Sequence, residues 1–104
     1  MPDRDELELT SVLQALADPV RLEIVAALAR GERACGSFPL PVSDATRSHH
    51  LKILREAGIT ATRLVGTQRL VSLRREDLDA RFPGLLDLAV EQQPLSAARQ
   101  AARR

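Results

Sequence analysis

The side chains best suited to directed chemistry are concentrated in one run of this 104-residue chain, Leu40 to Gly58, LPVSDATRSHHLKILREAG. Hydroxyls, imidazoles, an ammonium and guanidiniums follow one another there at Ser43, Thr46, Arg47, Ser48, His49, His50, Lys52 and Arg55. Catalysis would need a nucleophile, a base and an anion-stabilising site converging on one point. Ser48 and His49 do not supply that, because neighbours on a helix diverge by about 100°. For the same reason His49 and His50 cannot chelate one metal ion together. The chain also lacks a phosphate-binding glycine loop. The expectation is therefore no enzyme. What remains is non-covalent chemistry, in which small polar and cationic groups reach base edges and phosphates in a DNA groove.

Such groups need a rigid carrier, and the sequence marks one. Ser43 has the hydroxyl of an N-cap. Asp44 sets a negative charge at the positive end of a helix dipole, and Pro41 disfavours helix at Leu40. Gly58 offers a left-handed stop. These bounds predict a helix over about 44–57. Its inner face collects His50, Leu54 and Ala57, flanked by Thr46, Arg47, Leu51 and Ile53. Ala45, Ser48, His49, Lys52, Arg55 and Glu56 fall opposite, with Asp44 at the edge. An ordinary amphipathic helix with a solvated outer face has the same pattern.

The next segment favours the groove. Thr60 to Val65 and Gln68 to Arg74 are rich in β-branched and aliphatic residues and are separated by Gly66-Thr67, a hairpin signal. Arg63 and Arg69 stand on its two arms near the tip. The expected DNA-facing residues are thus Ser43, Asp44, Ala45, Thr46, Arg47, Ser48, His49, Lys52 and Arg55 on the helix. Arg63, Thr67, Gln68 and Arg69 join them on a hairpin over about 60–73.

The net charge of +1 conceals a segregated distribution. Residues 1–20 carry five acids against one base, residues 40–75 seven bases against two acids, and residues 76–92 five acids against one base. Local field rather than total charge governs attraction to DNA. Arginine supplies 14 of the 15 basic residues, so bidentate contacts are available. A charged start and the absence of a long apolar run predict no secretory signal and no membrane partner. A single cysteine suits a reducing cytoplasm.

Three segments carry a resemblance to a known family. Leu16-Ala17-Asp18-Pro19-Val20-Arg21-Leu22-Glu23-Ile24 resembles the opening LADPTRLRIL of the ArsR/SmtB bacterial transcriptional regulators. Ser48-His49-His50-Leu51-Lys52-Ile53-Leu54-Arg55-Glu56-Ala57-Gly58-Ile59 resembles their recognition helix, SxHLKxLREAGL. The strand pair through Gly66 fills the place of their wing, and the match runs roughly from Leu9 to Val90. The resemblance implies a winged helix-turn-helix, mainly α with a small β-hairpin (α+β). It implies a repressor that binds a palindromic promoter site in double-stranded DNA as a homodimer. It also implies that the terminal helices pair across the two-fold axis. The stripes concerned are Leu7, Leu9, Leu13 and Leu16, with Val12, on a helix of about Glu6 to Ala17, and Leu85, Leu86, Leu88, Ala89 and Val90 near the C-terminus. On the residues alone, both stripes could equally be core.

Between these segments, Asp18 as cap, Pro19 at the first position and Gly31 beyond the end bound a helix from Pro19 to Ala29. Leu22, Val25, Ala26 and Ala29 are expected to face the core. Arg21 reads two ways, as a phosphate contact or a structural ion pair. Glu32 to Phe38 is expected to form a short helix, the first of the helix-turn-helix, with Pro39 and Pro41 bracketing the turn. Arg47 stands where the family usually places a buried aliphatic, so it either snorkels outward or contacts DNA. His50 is expected to be a hydrogen-bonded core histidine and His49 to face outward.

No cofactor is evident. Metal-sensing members of the family use paired cysteines in the first helix of the motif, or acids and histidines on the last helix. This chain has only Cys35, expected to be a small buried hydrophobe, and no histidine after His50. A metal-ion effector is thus unsupported by ligand spacing, and no metal ligand is assigned. Two other readings stay open: a metal- or redox-responsive regulator using an unusual site or an effector-binding partner protein, and an interaction dimer with no DNA target of its own. Residues 1–92 are read as one DNA-binding and dimerisation domain, and 93–104 as a frayed or disordered Arg/Ala-rich tail.

Overall fold

The computed structural model describes residues 2–38 and 42–91. The turn bracketed by Pro39 and Pro41, and the tail from residue 93, lie outside the described residues. The helices are α1 (Leu9–Leu16), α2 (Pro19–Ala29), α3 (Asp44–Glu56), α4 (Arg75–Arg81) and α5, which is described over 85–91. Strands β1 (Arg33–Ala34), β2 (Thr60–Val65) and β3 (Gln68–Leu73) form one antiparallel sheet in the order β1-β3-β2. This is a winged helix-turn-helix.

Helix α2 matches its expected bounds because its start is built as the sequence implies. The Asp18 carboxylate accepts from the amides of Val20 (2.8 Å) and Arg21 (3.1 Å), and Pro19 fills the first turn. Its expected inner face needs correction. Ile24, Val25 and Leu28 are the buried residues, Leu22 and Ala26 are half-buried, and Ala29 is exposed. The cause is that α2 packs against α1 and α3 on one side and β3 on another, so it buries more than one stripe.

The expected helix over Glu32 to Phe38 does not form. Arg33 and Ala34 pair with Val71 and Leu70 of β3, and Cys35–Ser37 make a single 3-10 turn. Gly36 disfavours helix, while the free edge of β3 offers hydrogen bonds. Side chains close the turn locally: Ser37 Oγ donates to Ala34 O (2.8 Å) and Arg33 Nη2 to Ser37 O (2.7 Å). The wing is therefore three-stranded.

The N-terminal helix is also shorter than the expected Glu6 to Ala17. A 3-10 turn at Arg4–Glu6 and an extended Leu7 precede α1. Leu7 is pulled into the core, with its carbonyl accepting from Arg81 Nη2 at 2.9 Å. Leu7, Leu16 and Leu86, assigned above to a dimer stripe, are buried within the protomer at 2%, 7% and 1% exposure. Leu9, Leu13 and Leu88 remain about half exposed (47%, 46% and 55%), while Leu85 and Val90 are half-buried.

Helix α4 had no counterpart in the sequence reading. Fully buried Leu78 anchors it, and Asp77 ties it to the N-terminus by accepting from Arg4 Nε (2.7 Å) and Arg74 Nη2 (3.0 Å). Gly84, at φ +86°, turns the chain into α5, where Leu86 and Ala89 are buried. Among the described residues no helix is long and apolar enough to cross a membrane.

Gly58 ends α3 at φ +85° beneath this N-terminal segment, and a Cβ there would lie 2.2 Å from Leu7 Cδ2 and 2.8 Å from Pro2 Cγ. Gly58→Ala therefore combines left-handed strain, about 1–2 kcal/mol, with overpacking of about 1–3 kcal/mol. Urea denaturation should show a loss of about 2 kcal/mol or more, and a change within about 0.5 kcal/mol would contradict the packing.

The hydrogen bonds from Arg4 and then Arg74 hold the Asp77 carboxyl below its ordinary range. A carboxylate with a depressed folded pKa stabilises the fold above its unfolded pKa, near 3.9, and loses that contribution as pH falls through the folded value. Asp77→Asn should lower the melting temperature at neutral pH, and the gap to the parent protein should narrow below about pH 4. A gap that stays constant with pH would contradict this role.

Candidate nucleic-acid interface

Helix α3 is defined at both ends by its own residues. Ser43 Oγ accepts from the Thr46 amide at 3.2 Å and donates to Thr46 Oγ1 at 2.9 Å. At the other end the Gly58 amide donates to Arg55 O (3.0 Å) and the Ile59 amide to Leu54 O (2.9 Å), the paired bonds of a Schellman stop. These local bonds fix where the helix starts and where it stops.

Its inner face carries His50, Leu51 and Leu54, all buried. His50 Nδ1 lies 3.2 Å from Arg21 Nη1. A guanidinium can only donate, so Nδ1 is the acceptor and the ring proton sits on Nε2. Arg21 also donates through Nε to Ala15 O and through Nη2 to Gln14 O (3.3 Å), and approaches Asp18 at 4.0 Å. Of the two readings of Arg21, the structural one describes these contacts.

Asp44, Ala45, Thr46, Ser48, His49, Lys52, Arg55 and Glu56 are exposed along the other side of the helix. Lys52 lies 3.9 Å from Glu56, with both side chains 63% exposed, a pairing too weak to withhold its charge. Arg47 neither snorkels outward nor stands free. Its guanidinium folds back onto Asp44 at 2.7 Å, leaving the side chain 16% exposed.

The wing is a tight hairpin. Gly66 has φ +62° and Thr67 has no positive φ, the sign pattern of a type II′ turn. Leu64 pairs with Arg69 and Arg63 with Leu70, so Arg69 and Arg63 project from opposite faces. Arg69 shares the face of buried Val71 and looks toward α3; Thr67 and Gln68 are exposed at the tip.

Arg63 is engaged within the protomer. Rather than standing unpartnered near the tip, it makes a two-pronged pair with Glu32, Nε–Oε2 at 2.9 Å and Nη2–Oε1 at 2.7 Å. That pair holds the Glu32 carboxyl below its usual range and raises the Arg63 guanidinium. Glu32 lies beside β1, so the pairing could not be seen without that strand.

Two further features of this face emerge only in the folded chain. Leu64 and Val65, 69% and 46% exposed, make the wing tip aliphatic as well as polar. Alternation along β2 past the last buried position was the signal for them. The second is a cleft of 260 Å³ lined by Cys35, Gly36, Arg47, Ser48, Leu51, Arg55 and Arg69, which joins the 3-10 turn, α3 and the wing. Cys35 is half-buried at its edge rather than a core residue. Among the described residues no three His, Cys, Asp or Glu side chains cluster to hold a metal ion.

The family model for bacterial regulatory proteins of the arsR family matches residues 18–60. An uncharacterized HTH-type transcriptional regulator of Bacillus subtilis, YceK, is 35% identical over 84% of this chain and 91% of its own length. The chain belongs to the ArsR family. The arsenical resistance operon repressor of Staphylococcus xylosus is 39% identical over 69% of this chain and 71% of its own. Among solved structures, the homodimeric winged helix-turn-helix DNA-binding domain from Mycobacterium bovis superposes with a TM-score of 0.66 at 30% identity, covering 82% of this chain and 80% of that one.

The two adjacent histidines should separate by role. His50→Leu removes the acceptor for Arg21 and should destabilise the fold by about 1–3 kcal/mol, whereas exposed His49→Ala should stay within about 0.5 kcal/mol. Chemical denaturation of both variants decides it, and the reverse ranking would contradict the assignment.

Proposed function

We propose that this ArsR-family protein is a transcriptional repressor that binds a palindromic promoter site as a homodimer, with α3 in the major groove and the wing beside it. The observation that carries the reading is the exposed face of α3. Its small side chains at Ala45, Thr46 and Ser48 allow the backbone to approach base edges, the Thr46 and Ser48 hydroxyls and the His49 imidazole can reach them, and Lys52 and Arg55 supply cations at the far end. Arg69 adds a cation from the wing on the same side. Ser43 and Asp44 stand at the helix start, and Thr67 and Gln68 at the wing tip. Arg47 and Arg63 are already engaged, with Asp44 and Glu32, so each serves DNA only by giving up that carboxylate.

Dimerisation rests on the exposed remainder of the two apolar stripes, Leu9 and Leu13 on α1 and Leu88 on α5. Isolated exposed leucines are ordinary, but three on terminal helices fit a two-fold interface that would place two recognition helices on one duplex. The homodimeric M. bovis domain supports the dimer, and the staphylococcal relative supports repression.

Selection of bound duplexes from random DNA tests the reading, followed by titration with variants. Lys52→Ala should weaken binding to all sequences and lower the salt slope by about one. Ser48→Ala or His49→Ala should instead relax preference at particular base pairs, by about 1–3 kcal/mol each. Leu13→Glu should shift the protein from dimer to monomer in sedimentation and weaken operator binding with it. No enriched sequence, or unchanged binding in all four variants, would overturn the proposal.

A further inference from the structure

The cleft between the 3-10 turn, α3 and the wing gathers Arg47, Arg55 and Arg69, with Ser48 and Cys35 also lining it and no Asp or Glu among its described lining residues. Arg47 is committed to Asp44. Arg55 and Arg69 make no ion pair with any described residue. Two guanidiniums without a countercharge, from different elements and lining one concavity, are an arrangement that an anion completes. At about 30 Å³ per water, a volume of 260 Å³ holds a tetrahedral oxyanion with part of its hydration shell. The planar forks of arginine suit phosphoryl oxygens in two-pronged contacts, and a serine hydroxyl can add a further donor.

We propose that this cleft is a binding site for a phosphoryl oxyanion, held by Arg55 and Arg69 with Ser48. The oxyanion comes from one of two sources, a DNA backbone phosphodiester or a free phosphate. The site itself stands on the cleft geometry, and only the first source rests on the DNA-binding reading. A free phosphate seated there would occupy groups on the DNA-facing side and so compete with the duplex.

The reduced full-length protein provides its own reporter, since Cys35 shares the cleft wall. Inorganic phosphate is titrated against chloride at constant ionic strength while alkylation of Cys35 by uncharged iodoacetamide is followed. Alkylation should slow about tenfold once phosphate reaches roughly ten times its dissociation constant, by mass action. Arg55→Gln and Arg69→Gln should abolish the protection, with circular dichroism verifying that these exposed substitutions leave the fold intact.

In a second arm, single methylphosphonates are walked along a selected duplex. The expected result is one position per half-site whose neutralisation weakens the parent protein but not Arg69→Gln. Protection alone assigns the site to free phosphate, the methylphosphonate effect alone assigns it to the DNA backbone, and both together assign it to each. Neither result, with folded variants, overturns the site while leaving sequence-selective binding untouched. A protein that selects no duplex but shows protection would overturn the DNA reading and keep the site.

Discussion

The guanidinium of Arg21 is the contact on which the helical layers depend. It sits where the C-terminus of α1, the N-terminus of α2 and the middle of α3 meet. It donates to the carbonyls of Gln14 and Ala15, lies near the Asp18 cap, and donates to His50 Nδ1 across the interface. Each contact answers a local need. The last carbonyls of α1 lack intrahelical donors, and a cation there favours the negative end of that helix. The imidazole of His50, at 9% exposure, would otherwise lack a hydrogen-bond partner for Nδ1 among the described residues. One side chain thus fixes how far α3 can rotate about its axis. Rotation decides which residues face solvent, so Arg21 sets the outward face without standing on it.

The balance of charge on the outward face differs from what counting along the chain implies. Of the seven bases in residues 40–75, Arg74 and Arg75 are held by Asp77, Asp79 and Asp87 around α4, Arg47 by Asp44, and Arg63 by Glu32. Lys52, Arg55 and Arg69 are what the outward face has to offer a polyanion. The positive field is consequently narrower than the sequence block and concentrated at the far end of α3 and the facing side of the wing. Ala45 and Thr46, in the first turn of α3, are not among the residues lining the cleft with Arg55 and Arg69, whereas Ser48 is.

The legible parts of the fold were those whose signals are local. Ser43 and Gly58 bound α3, Asp18 and Pro19 start α2, and Gly66 makes the hairpin turn, each through interactions within a few residues. The illegible parts were decided by partners distant in sequence. Arg33 and Ala34 became a strand because β3 had a free edge, Leu7 became core because it packs over Gly58, and Arg63 was captured by Glu32. Helix α4 is only seven residues and carries one buried leucine, too little periodicity to announce itself. The outer face of α3 was readable because helical geometry assigns it, while the grouping of Cys35 with Arg55 and Arg69 needed the sheet to fold back across the helix.

On the proposed reading, the Arg21-oriented face of α3 enters the major groove of DNA. Methylation interference on a selected duplex tests it most directly, because methyl groups at guanine N7 block the major groove and those at adenine N3 block the minor groove. Guanine N7 methylation should interfere in two dyad-related half-sites about 10 base pairs, or a multiple of that, apart. Interference confined to adenine N3, or guanine positions lacking two-fold symmetry, would contradict it.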